Sequence, residues 1–303
     1  MTPAIRLFIT DLDNTLYDWV EFFVPAIYAL VDAAAPQLRC DRDELLNQLR
    51  SVHIAHRNSE HPFALLETPI VASRLPGQTR QERWQELGPA FAAFDEERRK
   101  RLRLYPGVAE TLAYVRNTGC EIVAYTEAPV YNSLKRIRML ELQRWITHLY
   151  APTGPALHPD ASRVSTSVLP VNRLPLGHRK PDPTVVLDIC RTRDVSPEET
   201  LYIGDSLVRD VAMANHAGVH SAWARYGTQR SPELWDRLVR ITHWTNEDVA
   251  READLRRRAG DIRPEFVVDS MSNLVQLCDF QPALDQVTAK AVKPPWIWRR
   301  DEP

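Results

Sequence analysis

The sequence predicts an α/β protein: a parallel sheet with helices on both faces, and a separate helix-rich stretch near the N-terminus. Three observations carry this. A short apolar run, Ile5 to Thr10, ends in an acidic cluster and reads as a buried strand. The next ninety or so residues show helical spacing without strand signals. From the turn signal Tyr105-Pro106-Gly107 onward, strand-like and helix-like segments alternate, as they do in parallel α/β sheets.

In order, Trp19 to Ala35 is apolar on most faces, with Pro25 expected to kink or start a helix. Asp41 to His56 has Leu45, Leu46, Leu49 and Val52 on one side, with Asp41 or Asp43 as its cap. Arg80 to Leu104 is charged, with Trp84, Leu87, Phe91 and Phe94 as its apolar stripe. Then follow a helix over Val108 to Asn117 stopped by Gly119, a strand over Cys120 to Tyr125 and a helix over Val130 to Leu142. A strand is expected over Ile146 to Tyr150 and a helix over Asp182 to Arg193. Leu201 to Gly204 reads as a strand, Arg209 to Ala217 as a helix closed by Gly218, and Ser221 to Ala224 as a strand. The last strand is Phe266 to Asp269, followed by a helix to Cys278. Two segments break the rhythm: a Pro-, Gly-, Ser- and His-rich loop over 151–179, and a polar, charged insertion over 227–263.

Composition narrows the classes. The chain has 303 residues, 44% hydrophobic and 26% charged, the balance of a globular protein with room for a core domain and a smaller one. A formal net charge of -2 gives no global field for nucleic acid or an anionic membrane, and Arg256-Arg257-Arg258 sits beside Glu252 and Asp254 as a solvated helix would. Val20 to Ala35 is interrupted by Glu21, Pro25 and Asp32 and is not expected to span a membrane. Asp11 and Asp13 stand where a targeting segment would need its apolar core, and the four cysteines have no metal-ligand spacing, so a cytoplasmic location is expected. Monomer and homodimer are equally compatible with the sequence.

The chemistry concentrates in four places. Asp11 and Asp13 follow the first strand on one side of the chain, at the edge where open α/β sheets place ligands. Two carboxylates so close repel unless a cation joins them, and magnesium prefers oxygen ligands. Gly204-Asp205 follows a second apolar strand, with Asp210 in the turn beyond. Two strands thus deliver carboxylates to one edge. Lys180 supplies a positive charge, and Thr126 ends the Cys120 to Tyr125 strand with a hydroxyl suited to phosphate oxygens.

Asp11-x-Asp13-x-Thr15, Thr126, Lys180 and Gly204-Asp205 with Asp210 resemble the four motifs of the haloacid dehalogenase superfamily, in order. The resemblance implies a Rossmann-like core over 1–16 and 104–293 and a helical cap over 17–103. It implies a magnesium-dependent phosphatase acting on a small phosphorylated metabolite. Asp11 would be the nucleophile and Asp13 the general acid and base. Asp11, Asp205, Asp210 and the Asp13 carbonyl would hold Mg2+, Thr126 and Lys180 would bind the phosphoryl group, and Thr15 and Gly204 would support the turns. A second aspartate is what dehalogenases of the superfamily lack, so Asp13 points to phosphoryl transfer. No lysine precedes Lys100 in the cap region, against a Schiff-base phosphonate cleavage. A phosphomutase shares every motif and stands as the alternative, with a non-catalytic relative behind it. Glu127 departs from the usual asparagine after the second-motif threonine. His158 and His178 are expected in solvent, and Trp19, Arg57 and Arg74 are candidate cap contacts.

Overall fold

The computed structural model describes residues 2–154, 169–175, 178–229, 231–243, 254 and 259–283. Most of the 151–179 loop, His158, the Arg256-Arg257-Arg258 run and the segment after Lys293 lie outside the described residues. The strands are β1 (Ala4–Ile5), β2 (Leu7–Thr10), β3 (Glu121–Tyr125), β4 (His148–Pro152), β5 (Val171–Leu174), β6 (Thr200–Gly204), β7 (His220–Ala224), β8 (Phe266–Val268) and β9 (Asp279–Phe280). Seven form one sheet in the order β5-β4-β3-β2-β6-β7-β8, every pair parallel. β1 pairs with β9 in a separate parallel ribbon.

The expected Ile5 to Thr10 strand is therefore broken at Arg6, whose N–H turns to the Glu199 carbonyl and whose side chain pairs with the Glu199 carboxylate. All four residues of β2 are buried. Phe8 faces one apolar cluster, with Ile122 and Ile203, while Leu7 and Ile9 face another, with Val123 and Tyr202. This alternation across a sheet covered on both sides is why the strand reads as continuously apolar. The chain leaves β2 for β3 on one side and returns to β6 on the other, so the C-terminal ends of these strands meet at a switch point where α/β sheets bind ligands.

Between β2 and β3 an inserted helical region forms a separate cap-like segment: α1 (Trp19–Leu38), α2 (Arg42–His56), α3 (Pro69–Arg74), α4 (Arg80–Glu86) and α5 (Gly88–Arg101). Asp18 caps α1 and Asp41 caps α2, each accepting an N–H three residues on. α1 continues through Pro25 rather than starting there. The hydrogen bond lost at the proline is offset by burial of Phe22, Phe23, Val24, Ile27 and Leu30 around it. By length and hydropathy α1 passes for a membrane span, but 67% of its apolar window is buried inside the protein, as in a core helix. The expected long helix over Arg80 to Leu104 is two helices, because Gly88-Pro89 interrupts the ladder. Trp84 and Phe91 stack across the break, ring centroids 3.9 Å apart.

After the insertion come α6 (Val108–Asn117), α7 (Val130–Met139), α8 (Thr184–Thr192), α9 (Ala212–Ala217), α10 (Pro232–Ile241) and α11 (Leu274–Leu277). β5, within the expected loop over 151–179, adds an edge strand; its half-exposed VNRL sequence carries little apolar signal. α10 falls within the 227–263 insertion of the core, yet it packs on α1 and α2. Arg240 pairs with Asp43 at 2.8 Å, and the Arg237 guanidinium lies 4.0 Å from the Tyr28 ring centroid.

The buried His53 on α2 donates its Nδ1–H to the Ile241 carbonyl at the end of α10, 2.5 Å away. Burial outweighs that bond, with His243, His61 and His56 adding repulsion, and pushes the His53 pKa down to about 4. The unfolded chain therefore binds one more proton between its ordinary value near pH 6.5 and pH 4, and stability is lost as pH is lowered across that window. Wild type should lose roughly 3 kcal/mol from this group over the window. His53→Gln should lose correspondingly less in urea titrations at pH 7 and pH 4.5. Parallel losses in the two proteins would show that His53 is not the titrating group.

Candidate active site

The site is built at the C-terminal ends of β2, β3 and β6. Asp11 leaves β2 and is buried, its N–H bonded to the Ile203 carbonyl of β6. Asp205 leaves β6, and its carbonyl accepts the Trp223 indole N–H at 2.9 Å. Asp210 lies in a wide turn, Leu207–Val211, where the Val211 N–H reaches back five residues to the Ser206 carbonyl at 3.1 Å. Such π-type turns widen a helix start and cluster at functional sites. The turn aims the Asp210 carboxylate back at β6, where it fills the space beside Gly204: a Cβ there would fall 2.2 Å from Asp210 Cγ. Gly204 thus supports Asp210 by having no side chain.

Lys180 joins the acids. Its Nζ lies 2.6 Å from Asp11 Oδ1 and 2.8 Å from Asp210 Oδ1, and both pairs are almost wholly buried. The Tyr202 hydroxyl and the Ser206 N–H complete the hydrogen bonding of Asp210, each at 3.0 Å. Carboxylate oxygens of Asp11, Asp205 and Asp210 all lie within 4.8 Å of one another. Burial pushes the Asp11 pKa well above the usual carboxylate range; Lys180 opposes this, while Asp210 and Asp205 add to it. Burial would lower the Lys180 pKa, but Asp11 and Asp210 outweigh it and hold the ammonium charged. Three carboxylates converging on one point form an all-oxygen donor set, which suits a hard divalent cation such as Mg2+.

Asp11, Asp13, Asn14, Thr126, Glu127, Lys180, Asp205, Arg209 and Asp210 line one cavity of ≈ 120 Å³. Thr126 is buried at the end of β3, its hydroxyl oxygen accepting the Ala128 N–H at 3.1 Å and keeping its own proton to donate. The Asp13 carboxylate does not join the three-carboxylate cluster; both its oxygens accept from Arg136 on α7, at 2.8 and 3.0 Å. Thr15 lies outside the cavity: its hydroxyl is buried without a partner among the described residues, and its carbonyl accepts the Tyr226 hydroxyl at 2.7 Å. Glu127 accepts the Lys180 N–H at 3.2 Å and pairs with Arg209 at 3.2 Å, tying the segments after β3 and β6 together. His178 is not in open solvent; it is half-buried, its ring 6.5 Å from that of Tyr125. Trp19, Arg57 and Arg74 do not line the cavity. Trp19 donates to Glu60, Arg57 closes α2, and Arg74 bonds the Arg39 carbonyl.

Arg136, Glu60 and Gly227 escaped the sequence reading. Nothing in its spacing marks Arg136 among the arginines of α7, and its partners lie 123 and 76 positions away. Gly227 sits against the loop after Asp13, where Asn14 takes a φ of 58°. A Cβ on Gly227 would lie 1.7 Å from the Asn14 carbonyl oxygen.

The match to known proteins agrees with this geometry. A family model described as haloacid dehalogenase-like hydrolase matches residues 5–218, and a second HAD-like model matches 177–274. The chain belongs to the haloacid dehalogenase-like hydrolases, and with the catalytic aspartate motif present it is an enzyme of their phosphomonoester-hydrolase kind. It is 25% identical over 235 residues to a glyceraldehyde 3-phosphate phosphatase of Methanopyrus kandleri, covering 76% of this chain and 88% of that one. It is 26% identical over 201 residues to phosphoglycolate phosphatase 1 of Pseudomonas aeruginosa, covering 65% and 62% respectively. A solved HAD phosphatase from Thermococcus onnurineus has the same fold, with a TM-score of 0.50 at 16% identity over 92% of this chain and 100% of that one.

Gly227→Ala should push the Asn14 loop away from the site. A displacement of about 1 Å costs about 10²-fold in rate, and the overpacking costs about 1–3 kcal/mol. Phosphate-release assays beside urea titrations check this; full activity would mean the loop yields without moving Asp13.

Proposed function

We propose that the protein is a magnesium-dependent phosphatase that hydrolyses a small-molecule phosphomonoester through an aspartyl-phosphate on Asp11. The observation that carries this is the buried Asp11–Lys180–Asp210 arrangement with Asp205 in reach, and with Asp13 two residues after Asp11. The division into a core over 1–16 and 104–293 and a cap over 17–103 belongs to the same reading.

An Asp11 oxygen attacks phosphorus as the ester P–O bond breaks, and Asp13, having taken up a proton from solvent, gives it to the departing alcohol oxygen. Asp13 then takes a proton from water as that water attacks the aspartyl-phosphate, releasing phosphate and freeing Asp11. Lys180 offsets the repulsion between Asp11 and the incoming dianion, and the Thr126 hydroxyl donates to a phosphoryl oxygen. Asp11, Asp205, Asp210 and the Asp13 carbonyl would hold Mg2+, which would supply electrostatic stabilisation of the transferring phosphoryl group. Tyr202 and the Ser206 N–H keep Asp210 aimed. Four cysteines without disulfides fit a cytoplasmic enzyme.

Phosphate release from a panel of phosphomonoesters, with magnesium and with EDTA, tests the reading. Magnesium-dependent release supports it. Conversion of a sugar phosphate to its isomer without release would assign the protein to the mutases instead.

A further inference from the structure

We infer that Arg136 is a positioning residue for Asp13, and that through Glu60 it makes the aim of the acid depend on the inserted helical segment. The inference rests on the phosphatase reading and extends it to residues outside the four motifs.

Asp13 stands on a loop rather than on a strand, and its side chain is 23% exposed. A carboxylate so placed needs a partner to fix its plane. The Arg136 guanidinium is that partner: Nη1 donates to both Asp13 oxygens, at 2.8 and 3.0 Å, from a residue only 3% exposed. Its other arm, Nη2, pairs with Glu60. Glu60 lies in the insertion, between α2 and α3. There it accepts the Trp19 indole N–H at 3.2 Å, and its carbonyl accepts from Asn132 on α7 at 3.4 Å. The chain of contacts Trp19–Glu60–Arg136–Asp13 thus runs from the insertion to the acid.

The guanidinium is itself fixed, lying 5.3 Å from the Phe22 ring centroid on α1. A planar fork with two arms can hold one carboxylate while anchored on another; a lysine ammonium at the same place is a point charge without that geometry. Arg136 and Glu60 also line the aromatic cavity formed by Phe22, Phe23, Trp84 and Phe91. Arg136 thus links that cavity, which it lines, to Asp13 in the lining of the carboxylate site.

Asp13 matters most when the leaving oxygen needs a proton. Benzyl phosphate releases a basic alkoxide and requires the acid, whereas p-nitrophenyl phosphate releases a stable phenolate and scarcely does. The test compares kcat/KM, which reports the steps through leaving-group departure, on these two esters with magnesium. Arg136→Met should lose about 10²-fold or more on benzyl phosphate and less than about tenfold on p-nitrophenyl phosphate, the pattern of Asp13→Asn. Arg136→Lys should fall between, and Glu60→Gln should show the same discrimination more weakly. The double variant Glu60→Gln with Arg136→Lys should be no worse than Arg136→Lys alone, because one contact chain is broken twice. Equal losses on both esters in Arg136→Lys and Glu60→Gln, with unchanged thermal melts, would overturn the inference and leave a purely structural pair. So would undiminished activity on both. Wild type that releases phosphate from neither ester would instead strike the phosphatase reading on which the inference rests.

Discussion

Asp11→Asn should lower magnesium-dependent phosphate release by about 10⁴-fold or more, since an amide oxygen cannot form the phosphoenzyme. The protein should nonetheless fold. Asn keeps the volume of the side chain and removes a buried charge that Asp205 and Asp210 repel, while Lys180 keeps Asp210 at 2.8 Å. Thermal melting should therefore stay close to that of wild type. Activity within tenfold of wild type would mean that another group attacks phosphorus. A lost melting transition would mean that Asp11 is chiefly structural.

Lys180→Met should harm stability and activity together. The ammonium is the shared partner of Asp11 and Asp210, and removing it leaves two carboxylates buried beside a third. Breaking a buried ion pair by deleting one member costs about 3–5 kcal/mol. Loss of the charge facing the phosphoryl group should cost a further 10²–10³-fold in kcat, roughly the effect of one electrostatic donor. Magnesium should return part of the lost stability, because it binds the same carboxylates in the folded state alone. Adding Asp210→Asn should return part of it too, by removing one of the stranded charges. Urea titrations in EDTA and in magnesium measure both effects. A Lys180→Met protein as stable as wild type in EDTA would show that the carboxylates are compensated in another way.

The sheet and the carboxylate site were legible because their signals are local. An apolar strand followed by Asp11, and a second ending in Gly204 and followed by Asp205, bring their acids to one edge by chain direction alone, whereas Asp13 lies past the strand end and its carboxylate turns to Arg136. Gly204 and Asp210 sit six residues apart, close enough for one turn to bring them together. The boundaries that shifted did so for equally local reasons that periodicity averages over: Pro25 tolerated inside α1, Gly88-Pro89 dividing α4 from α5, and Arg6 drawn to Glu199. What stayed hidden depends on tertiary contact. Arg136 is one of three basic residues on α7, with Lys135 and Arg138, until Asp13 arrives from 123 positions away. Gly227 reads as a turn glycine until the Asn14 carbonyl is seen against it. The docking of α10 on α1 and α2 has no sequence signal, since a helix with one apolar face can cover either the sheet or the insertion.

The claim on which the rest depends is that phosphorus passes through Asp11. Rapid acid quenching of the enzyme during turnover of p-nitrophenyl phosphate with magnesium, followed by peptide mass spectrometry, tests it directly, with Asp13→Asn included to slow hydrolysis of the intermediate. The account predicts a phosphoryl group on the peptide carrying Asp11, absent in Asp11→Asn. Turnover without label on that peptide, or a label on another side chain, would contradict it.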